Sequence, residues 1–281
     1  MRTHISGLME KGQHMRPFLK MHGLGNDFII FDAREDDLAL ADEAVRALSD
    51  RRRGIGCDQL IILRTSGKAD IFMEIRNADG SRVGACGNAT RCVGQLALDE
   101  SGKEKVLIET DAGLLTATRA EAGISVNMGP ARLAWDEIPL ARETDTMKID
   151  FAMGPLFEPT CVNMGNPHAV FFVEDADAVD LPYWGPQVEK NAMFPERVNA
   201  SVGTVKGDTI RLRVWERGAG ITDACGTAAC ASVVAASRLG LIDRKATVML
   251  DGGPLEVEWL ADGTVQMTGA ATLAFKGEVA L

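Results

Sequence analysis

The chain has 281 residues, 46% of them hydrophobic and 25% charged, and a formal net charge of −10. That length accommodates two domains of ordinary size, each with its own core. The acidic balance, with no Lys/Arg cluster large enough to track a phosphate backbone, argues against a nucleic-acid partner, and no stretch approaches the ~20 apolar residues that span a bilayer.

Residues 1–14, "MRTHISGLMEKGQH", lack the apolar core of a secretory signal. They are expected to form a disordered extension, with the fold starting at Met15. Six cysteines without such a signal point to free thiols in a reducing cytoplasm. The first half, 15–130, opens on a Gly-Asn turn at Gly25-Asn26 that feeds a strand over 28–31, followed by an acid-started helix over 35–53. The run Arg51-Arg52-Arg53, the strongest basic patch, closes that helix, where cations suit the dipole. A strand ending near Asn77, a Gly-rich turn and the unit "GACGNATRC" (84–92) come next. A helical stretch and three short strands, "KVLIET", "LLTATRA" and "ISVNM", complete the half.

The second half, 131–270, repeats this order. A Gly-Asn turn at Gly165-Asn166 leads into a strand over 169–173, and a helix interrupted by Pro182 and Pro186 is expected over 176–190. A strand ending near Glu216, the unit "DACGTAACA" (223–231), a helix stopped by Gly240, and the strands "ATVML", "LEVEWL" and "TVQMTG" follow. That helix is apolar or small on nearly every face, which marks a buried helix. The last strand, in 271–281, exceeds the repeat and is expected to return to the first half. Asn26 pairs with Asn166 and Gln59 with Asn199, each 140 positions apart; Asn77 falls opposite Glu216 and Cys86 opposite Cys225. The expected fold class is therefore α+β: two pseudo-symmetric domains, each a curved mixed sheet or barrel wrapped around a central helix, with the site in the cleft between them.

Cys86 and Cys225 each precede a glycine at a helix start. Unpaired N–H groups and the positive dipole end there favour an anion and are expected to lower the thiol pKa. The N–H groups of Gly87-Asn88 and Gly226-Thr227 are placed to hold a substrate carboxylate. A lone free cysteine is usually a packing residue, and that reading stands for Cys57, Cys92, Cys161 and Cys230. Two cysteines at matched places in a repeat favour chemistry: one thiolate removes a proton from one face of a carbon acid, and the other thiol delivers one to the opposite face.

These residues sit in motifs that resemble the diaminopimelate epimerase family: "MHGLGNDFIIFDA", "GIGCDQLIIL", "RNADGSRVGACGNATRC", "NMGNPHAVFF", "FPERVNAS" and "RVWERGAGITDACGTAACA". The resemblance runs in family order over nearly the whole chain from Met15. It implies a cofactor-independent isomerase that converts LL-2,6-diaminopimelate to the meso form, for lysine and peptidoglycan precursor synthesis. It implies Cys86 and Cys225 as the acid/base pair, with His168 and Glu216 assisting. It implies Asn26, Gln59, Asn77, Asn166, Asn199, Glu216 and Arg217 as substrate-binding residues, with Gly87, Asn88, Gly226 and Thr227 around the reacting carboxylate. A bidentate Arg217 suits the distal carboxylate, and neutral amides suit a zwitterion. Ala89, Ala228 and Ile221 depart from the commonest family pattern.

The expected partner is the small-molecule substrate, in a possible homodimer, with no metal, cofactor, nucleic acid or membrane. The alternatives are a proline racemase-like two-cysteine enzyme and a non-catalytic diamino-acid binder. A zinc or thiol-redox protein would want C-x-x-C, which the sequence lacks.

Overall fold

Strand register carries the internal repeat into three dimensions. The structure, a computed structural model, describes residues 15–281, so the extension expected at 1–14 lies outside the described residues. The first half comprises β1 (Met15–Gly23), β2 (Asn26–Asp32), α1 (Asp42–Ser49), β3 (Gln59–Arg64), β4 (Ile71–Asn77), β5 (Arg82–Val83), α2 (Gly87–Ser101), β6 (Lys105–Thr110), β7 (Gly113–Ala120) and β8 (Gly123–Pro130). A small hairpin, β9 (Ala152–Met153) and β10 (Leu156–Phe157), follows. The second half comprises β11 (Thr160–Asn163), β12 (Pro167–Phe172), α3 (Leu181–Glu189), β13 (Asn199–Lys206), β14 (Thr209–Glu216), β15 (Gly220–Ile221), α4 (Gly226–Arg238), β16 (Lys245–Leu250), β17 (Gly253–Trp259) and β18 (Thr264–Gly269). The final strand is β19 (Thr272–Ala280).

β2 runs parallel to β3 with Phe28 opposite Gln59, and β12 runs parallel to β13 with His168 opposite Asn199. The two register pairs are related by the same 140-residue offset that aligns Asn26 with Asn166. β3 is a continuous apolar run because both its faces are covered, the usual signature of a parallel strand. Ile61 and Leu63 face α2, whereas Leu60 and Ile62 face the outer cluster beneath α1. β12 divides in the same way, with Val170 toward α4 and Ala169 and Phe171 toward the outer cluster that includes Leu181 and Val188 of α3.

Each half thus curves its sheet around one buried helix. α2 packs Ala89, Cys92, Val93, Ala97 and Leu98 against apolar residues of β1–β4 and β6–β8. α4 is buried along almost its whole length, as its small-residue sequence predicts, and ends before a left-handed Gly240 at φ 71°. Among the described residues, no helix is long and apolar enough to cross a membrane.

Two pairings stitch the halves together. β18 lies antiparallel to β8, with Met267 opposite Val126, and β19 lies antiparallel to β1 from Met15↔Ala280 to His22↔Thr272. The last described strand thus pairs along the first.

Two helices differ from expectation. α1 begins at Asp42 rather than near 35, because Arg64 and Arg76 take the carbonyls of Leu38 and Leu40. α3 tolerates both prolines: Pro182 lies in its first turn, where its missing N–H has no intrahelical role, and Asp180 accepts a hydrogen bond from the Tyr183 N–H at 3.3 Å. β1 is an addition, since the sequence reading assigns no strand to 15–23. Its Lys20 is buried through an ion pair of 2.6 Å with Asp27, which lets a lysine face inward.

Candidate active site

Cys86 is the residue before the first turn of α2, and Cys225 holds the same place before α4. Both have extended backbone, and their carbonyls accept the first helical bonds, from Thr90 and Ala229. Cys86 is partly buried and Cys225 is 5% exposed. Glycine follows each because the helix starts crowd the same side chain. A Cβ on Gly87 would stand 2.8 Å from Met267 Cε, and one on Gly226 would stand 2.8 Å from Met267 Sδ. Real Cβ atoms do not approach that closely, so a larger residue at either position would displace the Met267 side chain that both helix starts share.

Asn88 bridges the halves at this point. Its Nδ2 donates to Asn26 Oδ1 at 3.1 Å and to the carbonyl of Ala224, the residue before Cys225, at 3.2 Å. The Cys86 thiol lies 3.9 Å from that same Asn26 oxygen. Cys225 Sγ lies 3.5 Å from Thr227 Oγ1. Glu216, at the end of β14, accepts a hydrogen bond from the Thr222 hydroxyl.

The remaining candidates fall into two amide groups set by strand ends. In the first half, Gln59 at the start of β3 donates to Asn77 Oδ1 at the end of β4 at 3.1 Å, and Asn77 donates to Ser81 at 3.0 Å. In the second half, Asn199 at the start of β13 donates to the Pro167 carbonyl at 2.8 Å and accepts from the Arg217 N–H at 2.9 Å. Asn166 Oδ1 lies 2.9 Å from His168 Nε2. The Arg217 side chain turns to the Glu196 carbonyl at 3.0 Å.

Electrostatics correct one expectation. Burial pushes the Cys86 thiol up, and the N–H groups of Ala89 and Asn88 only oppose it; Glu216 adds to the rise and Arg91 offsets it. Burial and then Glu216 push Cys225 well up, against the Thr227 hydroxyl and the Ala228 N–H. The helix N termini therefore act in the expected direction but lose to desolvation, which penalises the charged form. Burial also holds Glu216 above the usual carboxylate range. His168 is wholly buried, and burial and then Arg217 pull it down to about 3, so its imidazole is neutral at working pH. Cys57, Cys92, Cys161 and Cys230 are all buried, the last three completely.

Three residues that the sequence reading omits belong to the site's framework. Asp58 accepts from Asn26 Nδ2 at 2.9 Å, and Thr222 donates to Glu216. Glu189, only 3% exposed, accepts from Trp215 Nε1 at 2.7 Å and from the Gly218 N–H at 3.1 Å, fixing the turn that carries Glu216 and Arg217. Asp58 stands beside Gln59 in a quoted motif and was findable there. Glu189 lies in α3 with no local signal.

The profile of the family described as diaminopimelate epimerase matches residues 18–134 and 160–274. The chain is 55% identical over 269 residues to the diaminopimelate epimerase of Rhodospirillum centenum (strain ATCC 51521 / SW), covering 94% of this chain and 92% of that protein. It is 55% identical over 270 residues to that of Phenylobacterium zucineum (strain HLK1), covering 94% and 98%. Among solved structures, a hydroxyproline epimerase from Agrobacterium vitis with bound trans-4-hydroxy-L-proline superposes with a TM-score of 0.67 at 16% identity, covering 97% of this chain and 94% of that one. A PhzF-family phenazine biosynthesis protein of Bacillus anthracis gives 0.67 at 17% identity, covering 95% and 100%. At those identities the likeness is one of fold.

Proposed function

The chain belongs to the diaminopimelate epimerase family, and on that premise we propose that Cys86 and Cys225 are the two proton-handling groups of its reaction. The activity is an isomerisation, the epimerisation of diaminopimelate. The observation that carries the assignment is the pair of cysteines at the starts of two buried helices whose N termini meet over Met267.

One cysteine, as thiolate, takes the α-proton of LL-diaminopimelate. The electron pair left on carbon spreads into the adjoining carboxylate. The other cysteine, as thiol, gives its proton to the opposite face, and the meso product leaves with the two sulfurs in exchanged protonation states. Developing negative charge on the carboxylate is met by the N–H groups of Gly87, Asn88, Gly226 and Thr227, which are already oriented. Burial and then Glu216 raise the Cys225 thiol and hold it protonated. The neutral amides Asn26, Gln59, Asn77, Asn166 and Asn199 bind the ammonium groups and the distal carboxylate, with Arg217 turning from Glu196 to that carboxylate. His168, neutral and bonded to Asn166, orients that amide rather than trading protons. The working halves are 15–130 with 271–281, and 131–270. Six free thiols, two of them required in reduced form, fit a cytoplasmic setting.

Incubation with LL-diaminopimelate in deuterated water, without added cofactor, tests the assignment. The parent should incorporate α-deuterium and form meso product, and Cys86→Ala and Cys225→Ala should each lose roughly 10²–10⁴-fold in rate. Full activity in both variants would overturn the thiol pair. Affinity without exchange by the reduced parent would make the protein a binder.

We propose also that the protein is a homodimer joined through the outer face of β19, where Leu273 and Phe275 are 39% and 49% exposed. Sedimentation velocity should give a dimer that Phe275→Asp converts to monomer; a monomeric parent at micromolar concentration overturns the idea.

A further inference from the structure

Arg91 is a fully buried cation with no carboxylate partner among the described residues. It lies one turn into α2, is 0% exposed, and is the largest of the fully buried side chains. Its Nε reaches the Ala270 carbonyl at 3.4 Å, its Nη1 reaches Met267 Sδ at 3.5 Å, and its Nη2 has no partner at all. Around it, β1 contributes Gly23, whose Cβ would fall 2.8 Å from Nη2, and β18 contributes Met267 and Gly269, none of them titratable. The ionisable groups that act on it are the thiols of Cys92, Cys86 and Cys230, from α2 and α4.

Packing does not account for this choice. A buried ion without its counter-ion is strongly unfavourable, and a neutral side chain of similar length fills the same volume at less cost. A guanidinium keeps its charge in such surroundings where an amine would shed it. Met267, which the guanidinium touches, is the same side chain on which Gly87 and Gly226 close. The charge therefore stands one side chain behind both helix N termini.

We propose that Arg91 is a positioning residue for the epimerisation: a permanent buried cation whose counter-anion is the Cys86 thiolate and which holds that negative charge at the site. The inference rests on the reading of Cys86 as an acid/base group. The groups that face Cys86 are the N–H groups of Ala89 and Asn88, Glu216 on β14 and Arg91 itself. The two N–H groups oppose burial most, and Arg91 follows them as the full positive charge in this set.

Iodoacetamide labelling of Cys86 against pH, followed by peptide mass spectrometry, tests this on Arg91→Met and Arg91→Lys in the full chain. Arg91→Met should raise the labelling midpoint by about one pH unit or more and slow labelling at pH 7.5 about tenfold. Its melting temperature should equal or exceed the parent's, because an unpaired buried charge has gone. Arg91→Lys, which keeps a charge, should recover most of the labelling rate. An unmoved midpoint in Arg91→Met overturns the proposal. So does equal loss in both variants, or an Arg91→Met chain that melts far below the parent or fails to fold, since Arg91 is then a structural residue. Labelling needs no substrate, so its outcome stands apart from the deuterium-exchange result.

Discussion

Burial dominates the ionisation of Cys86, and the N–H groups of Ala89 and Asn88 oppose it; on top of these, Glu216 and Arg91 pull the same thiol in opposite directions. After burial, Glu216 also raises Cys225. Glu216→Gln removes a negative charge beside both sulfurs, so the labelling midpoint of Cys86 should fall, the reverse of Arg91→Met. Turnover should nevertheless drop roughly 10²-fold, because an amide holds the Cys225 proton less strongly. Thiol labelling against pH and meso-product formation measure the two effects; an unmoved midpoint would show that Cys86 does not feel the carboxylate. The residues proposed for the site were picked out because the repeat pairs them: Asn26 with Asn166, Gln59 with Asn199, Cys86 with Cys225. The residues that hold them, Glu189, Thr222 and Asp58, act through side-chain contacts with no repeated partner in the sequence. The direction of the thiol shifts was illegible for a related reason. A helix start can be read locally, but the depth of burial is a property of everything packed around it.

Strands were more legible than helices. The short strands of both halves follow from β-branched runs bounded by glycine, and the buried character of α4 follows from its small residues. α1 was overestimated because propensity favours helix through 35–41, whereas two arginines from neighbouring strands capture its carbonyls. β1 was missed because Arg16, Lys20 and His22 dilute its apolar pattern, and tertiary ion pairing is what makes the burial of Lys20 tolerable. β19 follows from its sequence, yet its importance follows from pairing. It covers β1 from end to end, and Phe275 packs edge-on against Phe18 at 6.0 Å between ring centroids. A chain ending at Ala271 loses that cover. Stripping a buried aromatic of its packing costs about 3–5 kcal/mol, which lowers the melting temperature by roughly 10 °C or more. A circular dichroism melt identical to that of the parent would show β19 to be dispensable.

For the whole molecule, the shared register offset and the shared Met267 wedge have one outcome. Two copies of a strand-and-helix unit place their helix N termini on a common centre, and each copy supplies one of the two cysteines proposed to handle protons. The fold class was readable from the repeat, but the seams were not: β8 with β18 and β1 with β19 join segments far apart in the chain. Such pairings close large loops and form late in folding. The second seam bears on how the protein is made. Domains emerge from the ribosome in order, and the earlier one ordinarily folds while the later is still being translated. Here β1 leaves the ribosome before the other described strands and its partner β19 leaves after them. The N-terminal half thus waits, with one side of β1 open, until β19 has emerged. A stalled or prematurely terminated chain would therefore expose that strand to other nascent chains, so synthesis of this protein carries an aggregation hazard that its finished form conceals.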